Sequence, residues 1–293
     1  MNNWTARPIT THELIDPGPV AALASLFDDG LPTPAVGNIL PPLWHWVALP
    51  RWSPSSQLAA DGHPFRGSFL PPVELPRRMF AGGEVSFMAD LRVGDTVRRE
   101  SIVESVTEKN GRSGQLVIVV VSTTLFTAAD EPAVTEKQNL IYREAEVPAA
   151  VEQYVGPALP PARGPVGPPL VAAGAGRWDF RTDPTLLMRF SAATANAHRI
   201  HYDWPYATGV EGYPDLVVHG PLMTLALAEA HRLAGSASRI TTLTHRNRAP
   251  LFCGQSAHLR STVTSAGHNV ELFGPDAGTR TAIELTLSKG AQP

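Results

Sequence analysis

The densest group of residues capable of acid–base chemistry lies between Arg189 and Leu222, where three histidines, one asparagine and two aspartates occur together. Histidine titrates closest to neutral pH, so His198 or His201 could take up and return a proton, as the addition of water to a double bond requires. If the preceding helix continues, these two histidines share a face, and if it ends near Ala195, both lie in the turn beyond it. Either arrangement lets them converge on one cavity.

Two further polar residues flank the histidines. Asn196 carries an amide donor and a carbonyl acceptor that could hold a water molecule beside a histidine, although its side chain could equally cap a helix end. Asp203 could accept a hydrogen bond from a histidine nitrogen and so fix its tautomer, or it could be a turn residue before Trp204. The segment therefore combines a proton acceptor, a water-binding amide and a carboxylate.

A second group of residues lies at the start of a predicted helix, at His219, Gly220, Pro221 and Leu222. Free backbone amides at a helix N-terminus carry a partial positive charge, and they could stabilise the enolate oxygen of a thioester. Because Pro221 has no amide hydrogen, the donors would be Gly220, Leu222 or their neighbours. One such donor typically contributes ~3 kcal/mol to a transition state.

The second half of the chain contains the elements that must position these groups. A segment apolar almost all round follows Gly220 and stops at Gly235, which predicts a buried helix. A short strand at residues 177–181 and a helix from Pro184 precede it. Four strands are predicted after it, at residues 240–244, 256–264, 270–273 and 280–287. One buried helix wrapped by an antiparallel sheet is the hotdog arrangement.

The first half has a similar order with weaker helical signals. Residues 10–27 have helical character interrupted by Pro17 and Pro19, and residues 32–80 are rich in loops. Strands are predicted at residues 84–87, 96–107, 115–126 and 135–143. The proline- and glycine-rich stretch 155–170 predicts an extended connector. We therefore predict an N-terminal domain over residues 1–150, a linker over 151–172 and a C-terminal catalytic domain over 173–293.

Composition limits the classes of function. With 293 residues and 43% hydrophobic content, the chain can form two packed cores, and a net charge of -3 gives no reason to expect nucleic-acid or membrane binding. It has no run of about 18 apolar residues, no basic-then-apolar N-terminus and a single cysteine, Cys253, so a cytoplasmic location is expected. Neither HExxH nor paired CxxC spacing occurs, so neither a metal nor another cofactor is expected.

The histidine-rich block resembles the active site of the MaoC-like (R)-specific enoyl-thioester hydratases, which carry an Asp-x-Asn-Pro-x-His-x-Asp pattern followed by a His-Gly-x-Leu turn. The block here reads Asn196-Ala-His198-Arg-Ile-His201-Tyr-Asp203, then His219-Gly220-Pro221-Leu222. By this resemblance His201 matches the family's histidine, Asp203 its trailing aspartate and Gly220 its turn glycine. Asn196 stands in place of the catalytic aspartate. Because an amide cannot act as a base, proton transfer is expected to fall mainly on His201, with His198 as a second candidate.

The resemblance covers nearly the whole chain. The segments LPPLWHW and GHPFRGSFLPPVELPRRMFAGGEVSF are similar to the branch that contains mesaconyl-C4-CoA (3-methylfumaryl-CoA) hydratase and the mitochondrial-type hydroxyacyl-thioester dehydratases. This resemblance implies an α+β double hotdog whose N-terminal central helix is degraded, at residues 64–76, and whose N-terminal half shapes the substrate pocket. It also implies a hydro-lyase that hydrates an α,β-unsaturated acyl-CoA thioester, with 3-methylfumaryl-CoA giving citramalyl-CoA.

Substrate contacts outside the histidine-rich block are less defined. Arg246 resembles the arginine of a family Arg-x-x-x-Pro stretch and could meet the CoA phosphates, or it could belong to a solvated face. A distal substrate carboxylate would require an arginine, and Arg199, Arg66 and Arg78 are unranked candidates. The tract around Trp44 could line an acyl pocket or seal a loop onto the core.

Three other activities are compatible with the sequence. The chain could be a 3-hydroxyacyl-ACP or acyl-CoA dehydratase for longer chains, a non-catalytic acyl-thioester-binding subunit, or a hotdog thioesterase. A double hotdog completes a dimer-like unit within one chain, so a monomer and a homodimer are both compatible with the sequence.

Overall fold

The computed structural model describes residues 4–111, 114–144, 160–235, 238–265 and 267–288. The strands of the N-terminal half are β1 (Ile9–Leu14), β2 (Arg77–Phe87), β3 (Thr96–Gly111), β4 (Gly114–Phe126) and β5 (Pro132–Arg143). Those of the C-terminal half are β6 (Leu170–Ala172), β7 (Arg177–Phe180), β8 (Ile240–Asn247), β9 (Ala257–Thr264), β10 (Gly267–Phe273) and β11 (Thr279–Leu287). All of them join one antiparallel sheet in the order β1-β3-β4-β5-β2-β8-β11-β10-β9-β7-β6.

The two halves of this sheet meet where β2 pairs with β8, from Gly82 opposite Arg246 to Ser86 opposite Thr242. Gly82 has a φ of 152°, and a Cβ atom there would lie 2.3 Å from the carbonyl oxygen of His245. Only glycine allows this approach of the two backbones. Strand β2 therefore begins at Arg77, well before the predicted residue 84, because its glycine pair lies inside a strand.

The C-terminal half contains the predicted central helix. Helix α4 (Gly220–Leu233) packs against β9, β10 and β11, and its residues from Leu222 to His231 are all buried. Burial on every side explains why its sequence lacks a polar face. Helix α3 (Pro184–Ala193) precedes it, and the Asp183 side chain accepts a hydrogen bond from the Leu186 amide at 2.9 Å.

The helical prediction for residues 10–27 is half wrong. Residues Ile9–Leu14 form β1 and pair with β3, and only Pro17–Phe27 form a helix, α1. Pro17 and Pro19 do not interrupt this helix because they lie in its first turn, where backbone amides have no helical acceptor. Asp16 caps the helix by accepting a hydrogen bond from the Gly18 amide at 2.6 Å.

The N-terminal half has no counterpart of α4 among its described residues. Its helix over the sheet is α2 (His45–Ala48), a single turn, whereas residues 64–76 contain no helix. The degraded helix therefore lies earlier than the sequence indicated. Trp46 fixes this turn to the sheet, because its indole nitrogen donates to Glu136 on β5 at 2.8 Å and its ring contacts Phe80 on β2.

The predicted domain division remains a prediction, and its linker is only partly described. Residues 151–159 lie outside the described residues. From residue 160 the chain follows the C-terminal half, to which Arg163 is tied by an ion pair with Asp215 at 2.6 Å. One hydrophobic core includes Leu23 and Val85 from the first half together with Leu243 from the second. Within the described residues, no helix has the length and apolarity needed to cross a bilayer.

Candidate active site

The chain turns sharply at the end of helix α3, and the predicted site residues lie in the turn that follows. Ala195 adopts a left-handed conformation with a φ of 53°, so the alternative in which the helix ends near this residue is the one observed. The Asn196 side-chain oxygen then accepts a hydrogen bond from the His198 amide at 3.1 Å. Asn196 thus stabilises the turn, and it also lines a cavity described below.

His201 lies in a 3₁₀ turn, Arg199–His201, with a fixed orientation. Its Nδ1 lies 2.7 Å from the carbonyl oxygen of Val217, so Nδ1 donates and Nε2 carries the lone pair of the neutral ring. The residue is 7% exposed, and burial lowers the pKa of His201 to about 4. His201 is therefore a neutral, oriented proton acceptor at physiological pH.

His219 lies directly behind His201. The two rings stack with centroids 3.6 Å apart, and His219 Nε2 lies 2.8 Å from the Ser191 hydroxyl. His219 is fully buried, and burial lowers its pKa well below the ordinary value. The position of His219 at the start of the helix fits a role in supporting the His201 ring.

The His198 ring joins His201 to a part of the site that the sequence did not reveal. It meets His201 edge-on at a centroid distance of 5.5 Å, and on its other side the ring of His63 lies 4.0 Å away. His63 Nδ1 is 3.0 Å from Asp61 Oδ2, and the His63 amide donates to Asp61 Oδ1 at 2.9 Å. Both residues belong to the N-terminal half.

Charge and burial set the protonation of this cluster. Burial lowers the pKa of His63 to about 4. The hydrogen bond to Asp61 opposes this lowering, and the Arg78 charge adds to it. Burial and the neighbouring His63 lower the pKa of His198. Burial acts to raise the pKa of Asp61, but its interactions with His63 outweigh this effect and lower it. The histidines are therefore neutral at pH 7, whereas Asp61 is charged.

Asp203 and Arg199 pair with each other. Arg199 Nη2 lies 2.8 Å from Asp203 Oδ2, and the other carboxylate oxygen accepts from the Tyr206 amide at 3.2 Å. Arg199 also donates to the carbonyl oxygen of Ala60 at 3.1 Å. In this arrangement Asp203 caps the following turn and does not orient a histidine, and Arg199 is engaged between the two halves of the molecule.

A cavity of about 400 Å³ lies over the N-terminal sheet and reaches the ends of α3 and α4. His45 and Trp46 line one wall, whereas Trp44 is buried and donates to Glu229 at 3.3 Å. Asn196 and Pro221 also line the cavity, next to the ends of α3 and α4. The tract around Trp44 therefore has two roles. His45 and Trp46 line the cavity, and Trp44 packs in the core.

The start of α4 provides the expected free amides beside this cavity. The Met223 amide donates to the carbonyl oxygen of His219 at 3.1 Å. The amides of Gly220 and Leu222 come before Met223 in the first turn, where backbone amides have no acceptor within the helix. A Cβ atom on Gly220 would lie 2.8 Å from the Asn247 side-chain nitrogen. An added carbon at Gly220 would therefore displace the Asn247 side-chain amide, which donates to the carbonyl oxygen of Phe80 at 2.9 Å.

The structure ranks the arginines that the sequence left unranked. Arg66 donates to the carbonyl oxygens of Val73 and Leu75 at 2.6 and 2.5 Å, and Arg199 is paired with Asp203. Arg78 instead lines the cavity. Arg78 interacts with the Tyr142 hydroxyl and with Asp61, whose carboxylate is already bonded to His63.

Two other expectations concern the CoA phosphates and metal ions. Arg246 is exposed on β8, on the face opposite the buried His245, and does not line the cavity. Asp61, His63 and His198 offer three possible metal-ligand atoms within 4.8 Å of one another. The Arg78 charge, which lowers the pKa of both histidines, acts against a cation at that position.

Comparisons with known proteins place these features in context. The model of a family described as hydroxyacyl-thioester dehydratase type 2 matches residues 43–253. The chain is 39% identical over 288 residues to a mesaconyl-C(4)-CoA hydratase of Chloroflexus aurantiacus, covering 98% of this chain and 97% of the relative. It is 23% identical to a mitochondrial hydroxyacyl-thioester dehydratase type 2 of Schizosaccharomyces pombe, covering 76% and 79% of the two chains.

Solved structures share the fold at low sequence identity. A MaoC-like dehydratase superposes with a TM-score of 0.67 at 15% identity, covering 97% of this chain and 98% of that one. HtdX of Mycobacterium tuberculosis has a TM-score of 0.60 at 18% identity, covering 95% and 99%. A third protein, from the same organism and described as a double hotdog, has a TM-score of 0.55 at 16% identity, covering 98% and 96%. The predicted α+β double hotdog is confirmed, with its two sheets joined edge to edge.

Proposed function

The chain belongs to the hydroxyacyl-thioester dehydratase type 2 family, and from that premise we propose that it reversibly hydrates an unsaturated acyl-CoA whose β-carbon carries a carboxylate. The expected substrate is 3-methylfumaryl-CoA, that is mesaconyl-C4-CoA, and the product is citramalyl-CoA. Hydration and dehydration are the two directions of one equilibrium, so the family reaction and the proposed reaction are the same chemistry. The 39% identity to a mesaconyl-C(4)-CoA hydratase supports this choice.

The observation that carries the proposal is the position of Arg78 at the cavity, beside the histidines. Its charge contributes to the lowered pKa values of His63 and His198, and Arg78 lines the same cavity as Asn196. In 3-methylfumaryl-CoA the free carboxylate is bonded to the carbon that receives the hydroxyl group. A cation that binds this carboxylate must therefore lie near the groups that handle water, as Arg78 does.

The reaction follows from the same residues. His201 and Asn196 position a water molecule, and a neutral histidine takes one of its protons as the oxygen bonds to the β-carbon. The resemblance to the MaoC-like enzymes implies that His201 is this histidine. The π electrons move to the thioester oxygen, where the free amides of Gly220 and Leu222 stabilise the enolate. The proton returned to the α-carbon completes the hydration without any oxidant or reductant.

A substrate comparison tests the proposal. The purified chain is given 3-methylfumaryl-CoA, crotonyl-CoA and octenoyl-CoA, and the loss of conjugated-thioester absorbance is followed. We expect the highest kcat/KM with 3-methylfumaryl-CoA. A preference for octenoyl-CoA would instead support a dehydratase of longer chains, release of free thiol detected by a thiol-reactive dye would indicate a thioesterase, and inactivity on all three would indicate a non-catalytic binding subunit.

A further inference from the structure

The C-terminal half has no carboxylate where its site requires a second acid–base group. Asn196 is an amide, and the carboxylate of Asp203 is paired with Arg199. His201 has no anionic partner, because its Nδ1 bonds a backbone carbonyl and its ring stacks on the buried His219. An imidazolium formed at His201 during the reaction would therefore have no direct hydrogen bond to an anionic group.

The N-terminal half brings a carboxylate and an imidazole to this gap. The Arg199 amide donates to the carbonyl oxygen of Asp61 at 2.9 Å, next to the histidine-rich turn. Gly62 packs so closely there that a Cβ atom would lie 1.8 Å from the carbonyl oxygen of Ala197. A tight turn, closed by the Ala59 amide bonding the carbonyl oxygen of His63 at 2.7 Å, holds the segment in place.

Asp61 and His63 have the geometry of an oriented acid–base pair. The carboxylate lies 3.0 Å from His63 Nδ1, so Nδ1 donates and Nε2 of the neutral ring carries a lone pair. His63 is partly exposed, whereas His198 and His201 are buried. His63 is thus at the more accessible end of the three contiguous rings His63, His198 and His201.

We propose that Asp61 and His63 are the second acid–base group of the site, donated by the N-terminal half in place of the carboxylate that Asn196 lacks. This inference rests on the proposed hydration reaction. In this assignment His63 Nε2 takes the proton that the family resemblance would give to His201, and His201 holds the water molecule. The water oxygen bonds to the β-carbon as the proton leaves, and the π electrons move to the thioester oxygen. The Asp61 carboxylate stabilises the resulting imidazolium, which then returns the proton to the α-carbon and regenerates neutral His63.

Substrate binding would strengthen this base. The Arg78 charge lowers the pKa of His63 and is not among the causes that act on His201. A substrate carboxylate paired with Arg78 offsets that charge and so raises the basicity of His63. The other charged groups that act on His63 are Asp61 and Arg66, and Arg66 bonds backbone carbonyls, whose charge does not change on binding. A carboxylated substrate is therefore expected to gain in kcat as well as in affinity.

The kinetic test compares His63→Ala and Asp61→Asn with His12→Ala, a control at an exposed histidine on β1. With 3-methylfumaryl-CoA, His63→Ala is expected to lower kcat ~100-fold or more with little change in KM, since a positioned proton acceptor typically contributes ~100- to 10,000-fold. Added imidazole is expected to restore part of the kcat of His63→Ala, which a merely structural role would not allow. Near-normal kcat in His63→Ala, alongside an active wild type, would overturn the inference and leave the proposed hydration intact.

A second measurement does not depend on activity. Nitrogen-15 NMR of the histidine rings reports which nitrogen of His63 carries the proton. We expect the Nδ1–H tautomer in the wild type and a lower pKa of His63 in Asp61→Asn, because the hydrogen bond and charge of Asp61 raise it. The Nε2–H tautomer would contradict the pair even if all three thioesters proved not to be substrates, a result that would itself refute the proposed function.

Discussion

The two halves of the molecule share one sheet but differ in what lies over it. The C-terminal strands are covered by helix α4 from Gly220 to Leu233, whereas the N-terminal strands are covered by the four residues of α2. The cavity of about 400 Å³ occupies the N-terminal side, with aromatic and arginine side chains around it. A shortened helix thus leaves room for an acyl group, while the complete helix offers free amides at its N-terminus.

The largest expected effect concerns the C-terminal contribution to the site. His201→Ala removes a buried imidazole that has a fixed tautomer, and we expect kcat for hydration to fall by ~100- to 10,000-fold. Steady-state hydration assays measure this loss. His258→Ala, at a histidine on β9 outside the site, is the matched control. Hydratase activity close to the wild type in His201→Ala would mean that the C-terminal half does not supply the acid–base group of the reaction.

The next effect concerns the N-terminal contribution. Arg78→Met removes the cation proposed to bind the substrate carboxylate, so kcat/KM for 3-methylfumaryl-CoA is expected to fall roughly 100-fold, about 2.7 kcal/mol. Crotonyl-CoA has no second carboxylate and serves as the internal control. Equal losses with both thioesters would show that Arg78 does not discriminate between them, and would assign carboxylate binding to another residue.

A smaller effect is expected where the halves touch. Gly62→Ala places a Cβ atom 1.8 Å from the Ala197 carbonyl oxygen at a φ of 89°, and so displaces Asp61 and His63 from His198. Gly30→Ala is the control, because Gly30 has a φ of 79° with no atom within 4 Å of the added carbon. The control should lose about 1–3 kcal/mol of stability from backbone strain alone. Thermal unfolding and kcat should both be affected more strongly in Gly62→Ala, and equal effects would argue against a functional contact there.

The smallest expected effect is a shift of the pH dependence of kcat/KM to lower pH. Burial lowers the pKa values of His201 and His63 to about 4, so both rings stay neutral well below the ordinary value of 6.5. We expect kcat/KM to fall as the pH approaches 4, and a fall centred near 6.5 would indicate solvated rings. Unfolded histidines bind protons already at 6.5, so the free energy of unfolding is expected to decrease as the pH falls from 6.5 towards 4. Thermal unfolding between pH 7 and pH 4 measures this decrease.

Much of the fold follows from local sequence patterns. The strands β8 to β11 and helix α4 were predicted because each has a clear periodicity, and the prediction is confirmed to within a few residues. Residues 10–27 were partly misread because strand β1 depends on pairing with β3, a distant partner that local periodicity does not reveal. Strand β2 was predicted to begin at residue 84, and its start at Arg77 depends likewise on pairing with β5, a distant partner in sequence.

The site was less predictable than the fold. The i,i+4 spacing of Arg199 and Asp203 indicates an ion pair on its own, yet the two roles considered for Asp203 were a partner of a histidine and a turn residue, of which the structure shows the second. Asp61 and His63 were missed because their significance comes from contact with a turn far away in sequence. The alternation of an acid and a histidine around Gly62 was the available signal, and alone it does not distinguish a site from a surface turn.

The β2–β8 junction has a consequence for symmetry. In an assembly of two identical hotdog chains, any substitution would appear twice, and losing the helix on one side would mean losing it on both. Because β2 and β8 belong to one polypeptide and are paired from Gly82 to Ser86, the two sides can differ while their relative orientation stays fixed. Covalent linkage thus permits the two halves to have different structures and roles, which an exact twofold axis would forbid.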